Sequence, residues 1–207
     1  MTPKTPNRTA TPNGTTPTAT RGVIELICGC MFSGKTTQLL DALSHEPADV
    51  IALFKHHRDD RYGTTRVVTH TGSGRPAIHV CRAADILEHV GETIEVVAID
   101  EGHFYDRALP EVCRKLAQDG KRVIVTALDL DMWGLPLETI ERLRALADVV
   151  RVRPALCARC GGPATLTFRK TPLRDRNLVG GSRDFEPRCR SCWSPPDHPR
   201  ITPENMA

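Results

Sequence analysis

Residues 24–37 read Ile-Glu-Leu-Ile-Cys-Gly-Cys-Met-Phe-Ser-Gly-Lys-Thr-Thr, and they carry the strongest signal in the chain. An apolar strand leads into the pattern Gly-x-x-x-x-Gly-Lys-Thr, and an amphipathic stretch, residues 38–43, follows it. Strand, glycine-rich loop and helix in this order are the context of a phosphate-binding P-loop. The glycines let the backbone curl so that successive N–H groups face phosphate oxygens at the start of the helix. The residues predicted to bind the phosphates of a nucleotide are Gly29, Cys30, Met31, Phe32, Ser33, Gly34, Lys35 and Thr36.

Two of these side chains have tasks of their own in such a site. Lys35 would reach the β- and γ-phosphates as a mobile point charge, and the Thr36 hydroxyl would hold Mg²⁺. A chance glycine-rich turn before a helix is the alternative interpretation. Ordinary residue frequencies make a random match to the whole pattern rare, about one in a hundred chains of this size. We therefore expect a nucleoside triphosphate with Mg²⁺.

A second apolar run, residues 94–101, ends in two carboxylates, Asp100 and Glu101. Because the carboxyl ends of strands in an α/β sheet lie beside the P-loop, we expect Asp100 near the Mg²⁺. Side chains alternate along a strand, so Glu101 would point the other way and could accept a proton from the attacking nucleophile. An acidic pair that merely ends a strand is the competing interpretation. The spacing does not decide whether the nucleophile is water, as in an ATPase, or an alcohol, as in a kinase.

Apolar strand-like runs alternate with helix-like stretches up to residue 152. This alternation predicts a parallel sheet covered by helices on both faces. The long polar segment 56–76 is expected to be a mobile loop rather than a core element. The predicted strands span 22–28, 49–55, 94–100, 122–128 and 148–152, and the predicted helices span 36–43, 83–89, 107–119 and 137–147.

Bulk composition limits the classes of protein. The chain has 207 residues, a hydrophobic content of 40% and a net charge of +3. Its longest apolar runs are strand-sized, which argues against a membrane partner, and residues 1–20 lack the pattern of a secretory signal. Because Lys and Arg are spread along the chain, the charge argues against a nucleic-acid partner. Residues 1–20 are predicted to be a disordered tail and residues 194–207 a flexible one.

Half of the eight cysteines form two matched pairs. The pairs are Cys157-x-x-Cys160 and Cys189-x-x-Cys192, a spacing typical of a structural Zn²⁺ held by four thiolates. In a chain without a secretory signal this pattern favours zinc over disulfides, so we expect a reducing, cytoplasmic location. The remaining cysteines are scattered and are expected to be reduced thiols.

The composition changes after Pro154 to Cys, Gly, Pro and Arg, which marks a domain boundary. We therefore predict an α/β fold: a P-loop parallel sheet flanked by helices at 21–153, with a small C-terminal zinc-ribbon lobe at 154–193. The lobe would carry a lasso loop, because Val179-Gly180-Gly181 lies between the cysteine pairs and could present bare backbone groups to a ligand. A solvent-exposed turn explains this loop segment equally well.

Several short motifs complete the set, and they lie between Gly29 and Cys192. They are Gly-Cys-Met-Phe-Ser-Gly-Lys-Thr at 29–36, Asp59-Asp60-Arg61-Tyr62, Thr69-His70, Asp100-Glu101-Gly102-His103-Phe104, Ala127-Leu128-Asp129, and Val179-Gly180-Gly181 ahead of Cys189-Arg190-Ser191-Cys192. With these motifs the chain resembles the cytosolic-type (type II) thymidine kinase family. The resemblance implies transfer of the ATP γ-phosphoryl group to the 5′-hydroxyl of thymidine, with deoxyuridine as a second acceptor. It also implies a homotetramer and feedback inhibition by thymidine triphosphate.

The same resemblance implies roles for single residues. Glu101 would be the base that takes the 5′-hydroxyl proton, Asp100 and Thr36 would serve Mg²⁺, and Arg61 would be a cation for the developing phosphoryl charge. Residues 29–36, Arg61, Asp100 and His103 would bind ATP. The nucleoside would contact Phe104, Leu128, Met132, Leu178, Val179, Gly180, Gly181 and Phe185.

Four positions depart from the family pattern and bear on the nucleoside preferred. Met132 and Leu137 stand where aromatic residues are expected, Phe185 replaces a tyrosine, and His103 replaces a glutamine. Two alternatives to a thymidine kinase stay open at this point. One is a nucleic-acid-dependent P-loop ATPase with a zinc ribbon, and the other is a nucleotide sensor whose substrate pocket has diverged.

Overall fold

The structure is a computed structural model that describes residues 21–59, 66–68, 74–171 and 180–196. Within these ranges it contains twelve strands and three α-helices, with 3₁₀ segments at Ala48–Val50, Ala83–His89 and Gly102–Phe104. In chain order the elements are β1 (Ile24–Cys28), α1 (Lys35–Ser44), β2 (Ile51–His56), β3 (Arg66–Val68), β4 (Gly74–Pro76), β5 (Ile78–Val80), β6 (Val96–Asp100), α2 (Leu109–Gln118), β7 (Arg122–Ala127), α3 (Glu138–Leu146), β8 (Val149–Val152), β9 (Ala155–Leu156), β10 (Pro163–Ala164), β11 (Leu166–Arg169) and β12 (Phe185–Arg188).

Six strands form the central sheet in the order β5-β2-β6-β7-β1-β8. Every neighbouring pair is parallel, which confirms the predicted α/β class. The five predicted strands are all present. The sixth, β5, went unpredicted because its three residues are too short to show a periodic pattern.

Alternate residues of the strands feed two hydrophobic clusters, one on each face of the sheet. Leu26 of β1 packs in the cluster that contains the apolar faces of α2 and α3, whereas the next residue, Ile27, packs with Leu39 and Leu43 of α1. All these side chains are buried. The parallel strands are therefore covered on both faces, as their continuous apolar sequences require.

The prediction of a mobile loop at 56–76 is wrong in part. Strands β3 and β4 form an antiparallel pair, and Val67 is buried in the cluster on the α1 face. Two valines between polar residues are a weak sequence signal, yet burying the Val67 side chain contributes about 1.5–3 kcal/mol. The rest of the segment includes 60–65 and 69–73, which lie outside the described residues.

The C-terminal lobe consists of two small antiparallel pairs, β9 with β10 and β11 with β12. It packs against the P-loop: the Met31 N–H donates to the Thr167 hydroxyl at 3.1 Å, and the Cys30 thiol contacts the Ala164 carbonyl at 3.4 Å. The division into domains at 153/154 stays a prediction. Among the described helices, none combines the length and apolar character needed to cross a membrane.

Candidate active site at the carboxyl edge of the sheet

The loop between β1 and α1 has the strained backbone that a phosphate cradle needs. Gly29, Phe32 and Gly34 have positive φ angles of 141°, 63° and 78°. A Cβ atom at Gly29 would lie 2.3 Å from the Arg153 carbonyl oxygen, so a larger residue does not fit there. Loops in which positive-φ residues interrupt ordinary backbone can direct successive N–H groups into one concavity, which is a binding geometry for anions. This supports the predicted phosphate site at 29–36.

Lys35 lies over this loop. Its side chain is buried, and its ammonium donates a hydrogen bond to the Cys30 carbonyl at 2.8 Å. The charge is therefore held at the mouth of the cradle by a neutral acceptor. A phosphate oxygen can replace that carbonyl because ammonium hydrogen bonds to anions are stronger.

Arg153 supports the loop from outside and was missed by sequence reasoning. Its Nε donates to the Ser33 carbonyl at 3.1 Å and its Nη1 to the Gln38 side chain at 3.0 Å. The contact joins the end of β8 to the P-loop. It depends on the sheet order rather than on any local motif, so no sequence pattern signals it.

Asp100 ends β6 as a buried carboxylate beside the P-loop. It accepts hydrogen bonds from the Thr36 hydroxyl at 3.2 Å and from the Thr126 hydroxyl at 2.5 Å. Burial, and after it the negative charges of Glu101 and Asp59, raises the pKa of Asp100 to about 6. The site thus combines hard oxygen donors with an excess of negative charge, a combination that fits Mg²⁺. Asp100 and Thr36 lie together as predicted for its ligands.

Glu101 follows directly and turns out of the strand. Its backbone is left-handed, with φ 50° and ψ 50°, and its N–H donates to the Thr126 hydroxyl at 3.0 Å. The Glu101 side chain keeps 14% of its surface exposed, whereas Asp100 is almost fully buried. The two side chains therefore differ in burial, although the Glu101 Oε2 is itself a buried atom.

His103 lies between Glu101 and the loop after β7. Its Nδ1 is 3.6 Å from the Glu101 Oε2 and accepts a hydrogen bond from the Leu128 N–H at 3.3 Å. Because the single lone pair of this nitrogen accepts the Leu128 amide proton, the nitrogen carries no proton to share with Glu101. The pair is therefore not an ion pair in this arrangement.

The predicted nucleoside-pocket residues are brought together only in part. Leu128, Met132 and Phe185 form one buried cluster with Met31 of the P-loop, so these predicted nucleoside contacts adjoin the phosphate cradle. Phe104 is outside that cluster, and its ring lies 4.3 Å from the His103 ring. The cluster is assembled from the P-loop, the loop after β7 and β12, which explains why its packing could not be derived from spacing.

The described part of the predicted lasso loop begins at Gly180. A Cβ atom at Gly180 would lie 2.7 Å from the Phe185 ring, so the backbone approaches that ring closely. The Gly181 carbonyl accepts hydrogen bonds from the Asp184 and Phe185 N–H groups, both at 3.0 Å. Other predicted site residues, Arg61, Leu178 and Val179, lie outside the described residues, as do the motif residues Asp60, Tyr62, Thr69 and His70.

The four predicted zinc ligands converge. The Sγ atoms of Cys157, Cys160, Cys189 and Cys192 all lie within 4.8 Å of one another, and those of Cys160 and Cys189 are 3.7 Å apart. A tetrahedral site with Zn–S bonds of about 2.3 Å has sulfur–sulfur edges of about 3.8 Å. Backbone hydrogen bonds, that of Cys189 first, lower the pKa of the Cys157 thiol to about 6, which favours the thiolate that a metal needs. The residues therefore fit Zn²⁺.

Sequence reasoning also missed a buried ion pair next to the carboxylates. Lys55, the last residue but one of β2, lies opposite Asp100, and its ammonium lies 3.5 Å from Asp59 and 3.4 Å from the Arg66 carbonyl. Both charged side chains are almost fully buried. Lysine and aspartate are rarely buried unless they are paired, so the pair belongs to the internal charge balance of this edge.

Similarity to known proteins agrees with this geometry. The thymidine kinase family model matches residues 22–193, a range that includes the P-loop, both carboxylates and the cysteine cluster. A thymidine kinase from Rhodothermus sp. (strain ITI 518) is 42% identical over 177 residues, which cover 84% of this chain and 83% of that protein. The chain belongs to the thymidine kinase family.

Proposed function

We propose that this protein transfers the γ-phosphoryl group of ATP to the 5′-hydroxyl of thymidine, with deoxyuridine as a second acceptor. One observation carries the proposal: a phosphate cradle, two carboxylates that differ in burial and a buried apolar cluster meet at one edge of the sheet. An ATPase that used water would not need an apolar surface for a base. Family membership supports a nucleoside kinase over the alternatives of a nucleic-acid-dependent ATPase or a nucleotide sensor.

The P-loop would hold the triphosphate of ATP through the backbone N–H groups of residues 29–36. Lys35 would exchange its bond to the Cys30 carbonyl for one to the β- and γ-phosphates. Thr36 and Asp100 would hold Mg²⁺, which supplies charge neutralisation between the phosphates when bound. Arg61 and His103 complete the proposed ATP-binding set.

Glu101 would act as the general base. Its partial exposure leaves the carboxylate accessible to a 5′-hydroxyl, and the bond from its N–H to Thr126 fixes the turn from which it projects. Asp100 cannot take this role easily because its oxygens already accept bonds from two hydroxyls. The proton would move from the 5′-hydroxyl to the Glu101 carboxylate as the oxygen attacks the γ-phosphorus.

The thymine base would occupy the apolar side of the site. The buried cluster of Met31, Leu128, Met132 and Phe185 would offer a surface for a flat ring. Methionine side chains pack favourably against aromatic edges. Gly180 and Gly181 would read the polar edge of the base through backbone groups. The proposed contacts are Phe104, Leu128, Met132, Leu178, Val179, Gly180, Gly181 and Phe185.

We further propose a cytoplasmic homotetramer with a structural Zn²⁺ in each chain and inhibition by thymidine triphosphate. Strand β8 supports self-association, because in the described part of the chain it pairs only with β1. Its Val150 and Val152 side chains are 38% and 51% exposed, an apolar edge that monomeric proteins usually cover.

The test is a coupled kinase assay with ATP and Mg²⁺ on thymidine, deoxyuridine, deoxycytidine and deoxyguanosine. We expect turnover of thymidine above the purine and cytosine nucleosides, and loss of at least 100-fold in kcat for Glu101→Gln. ATP hydrolysis that needs DNA and falls steeply with salt would instead support the ATPase. ATP binding without heat of binding for any nucleoside would support the sensor.

A further inference from the structure

His103 occupies a junction between the reacting carboxylate and the nucleoside pocket. Its side chain is only 3% exposed, although histidine has two polar ring nitrogens. Three neighbours surround the ring: Glu101 at 3.6 Å from Nδ1, the Leu128 N–H at 3.3 Å from the same atom, and the Phe104 ring at 4.3 Å between centroids. Glu101 is the proposed base, whereas Leu128 and Phe104 are proposed contacts of the nucleoside.

The hydrogen bond from Leu128 sets the chemical form of the ring. A ring nitrogen that accepts an amide proton cannot carry one itself, so the neutral tautomer here has its proton on Nε2. A protonated Nδ1 would lose the Leu128 bond and would turn a donor toward the Glu101 carboxylate. The arrangement therefore depends on an acceptor at this exact position of the ring.

Leu128, which donates this hydrogen bond, is also one of the proposed nucleoside contacts. Leu128 is 1% exposed and packs with Met132 and Phe185, so a base entering the pocket presses on the same residue whose N–H is bound by His103. Packed interiors transmit such displacements because they leave little room for independent movement. A contact that fixes the Leu128 backbone against the Glu101 turn thereby relates the two halves of the site.

We propose that His103 is a positioning residue, which ties the Leu128 wall of the nucleoside pocket to Glu101 and so aligns the general base with the bound 5′-hydroxyl. This role rests on the proposed function and goes beyond an ATP contact of His103. Misplacement of a reacting group by about 1 Å can cost on the order of 100-fold in rate, so a contact of this kind acts mainly on kcat.

Two variants distinguish the hydrogen-bonding role of the His103 side chain from the space that it fills. His103→Gln keeps a side-chain acceptor that can reach the Leu128 N–H, whereas His103→Leu fills similar space without one. We expect the Leu variant to lose about 10- to 100-fold in kcat with thymidine and the Gln variant to recover most of that loss. Thermal midpoints of the two variants should agree, and their KM values for ATP should differ from each other by less than threefold, since both lack the imidazole of the proposed ATP contact.

A second test uses the wild-type protein and therefore does not depend on whether a variant folds. We expect nitrogen NMR of the His103 ring to show the Nε2–H tautomer, with thymidine binding shifting its Nδ1 signal. A ring protonated on Nδ1, or a Leu variant with the kcat of the Gln variant, would overturn the positioning role while the kinase activity stands. Wild-type protein that phosphorylates no nucleoside would overturn the proposed function, and the positioning role with it.

Discussion

The Thr126 hydroxyl donates a hydrogen bond to the Asp100 carboxylate and accepts one from the N–H of the next residue, Glu101. One side chain on β7 therefore fixes both acidic residues at the end of β6. The first is buried and adjoins the Thr36 hydroxyl, and the second keeps part of its surface exposed. Both contacts come from this single threonine, which sequence reasoning did not single out.

We expect Thr126→Val to lower kcat by about 10- to 100-fold, because each lost hydrogen bond to a charged or buried group costs about 1.5–3 kcal/mol. Valine has nearly the same shape but no hydroxyl, so Asp100 loses a donor and Glu101 loses the acceptor of its N–H. Thr126→Ser is the matched control, since it keeps the hydroxyl. Steady-state kinetics with thymidine would decide, and equal kcat values for the two variants would contradict this role.

Titration of Asp100 should make the free energy of unfolding depend on pH. Its pKa is raised to about 6 in the folded protein, chiefly by burial and then by the charges of Glu101 and Asp59. An ordinary aspartate titrates near 3.9, so between about pH 4 and 6 the folded state binds more protons than the unfolded state. The free energy of unfolding therefore falls as the pH rises through this window, and the loss is complete above it.

Asp100→Asn isolates this contribution because asparagine resembles the protonated aspartate. We expect the variant, without Mg²⁺ or nucleotide, to be more stable than wild type at pH 7.5 by an amount on the order of 2 kcal/mol. The difference should vanish near pH 4, and kinase activity should be lost with the metal ligand. Urea unfolding at both pH values measures it, and a variant less stable than wild type at pH 7.5 would refute the assignment.

Local patterns predicted the parts of the site that chemistry confines to short stretches. A pattern of a few consecutive positions predicts each of three features: the loop at residues 29–36, the Asp100–Glu101 pair and the cysteine pairs. The sheet is predicted by apolar runs that alternate with helical stretches. Contacts set by strand order had no such signal. Thr126 reaches Asp100 only because β7 lies beside β6, and Arg153 reaches the P-loop only because β8 lies beside β1.

Tyr105 should weaken the fold through its hydroxyl. The side chain is buried, burial raises its pKa, and its hydroxyl has no hydrogen-bond partner among the described residues. An unsatisfied buried polar group costs about 1–3 kcal/mol, so Tyr105→Phe should increase the free energy of unfolding by about 1 kcal/mol. Tyr105→Leu, which leaves a cavity, should decrease it. Denaturant unfolding of the three proteins tests this, and a destabilised Phe variant would show that the hydroxyl is bonded in solution.

Loss of the proposed zinc site should increase hydrogen exchange in the P-loop as well as in the C-terminal lobe. A lobe of four short strands has little core of its own, so metal binding supplies much of its folding energy. The same lobe provides Thr167, which accepts the Met31 N–H, and Ala164, whose carbonyl contacts the Cys30 thiol. We therefore expect Cys160→Ser to lower zinc content and to speed hydrogen exchange both at 155–169 and at 29–34. Cys81→Ser, at an exposed cysteine outside the cluster, is the control. Fast exchange in the lobe, with the P-loop still protected, would show that the Thr167–Met31 and Ala164–Cys30 contacts do not couple the lobe to the P-loop.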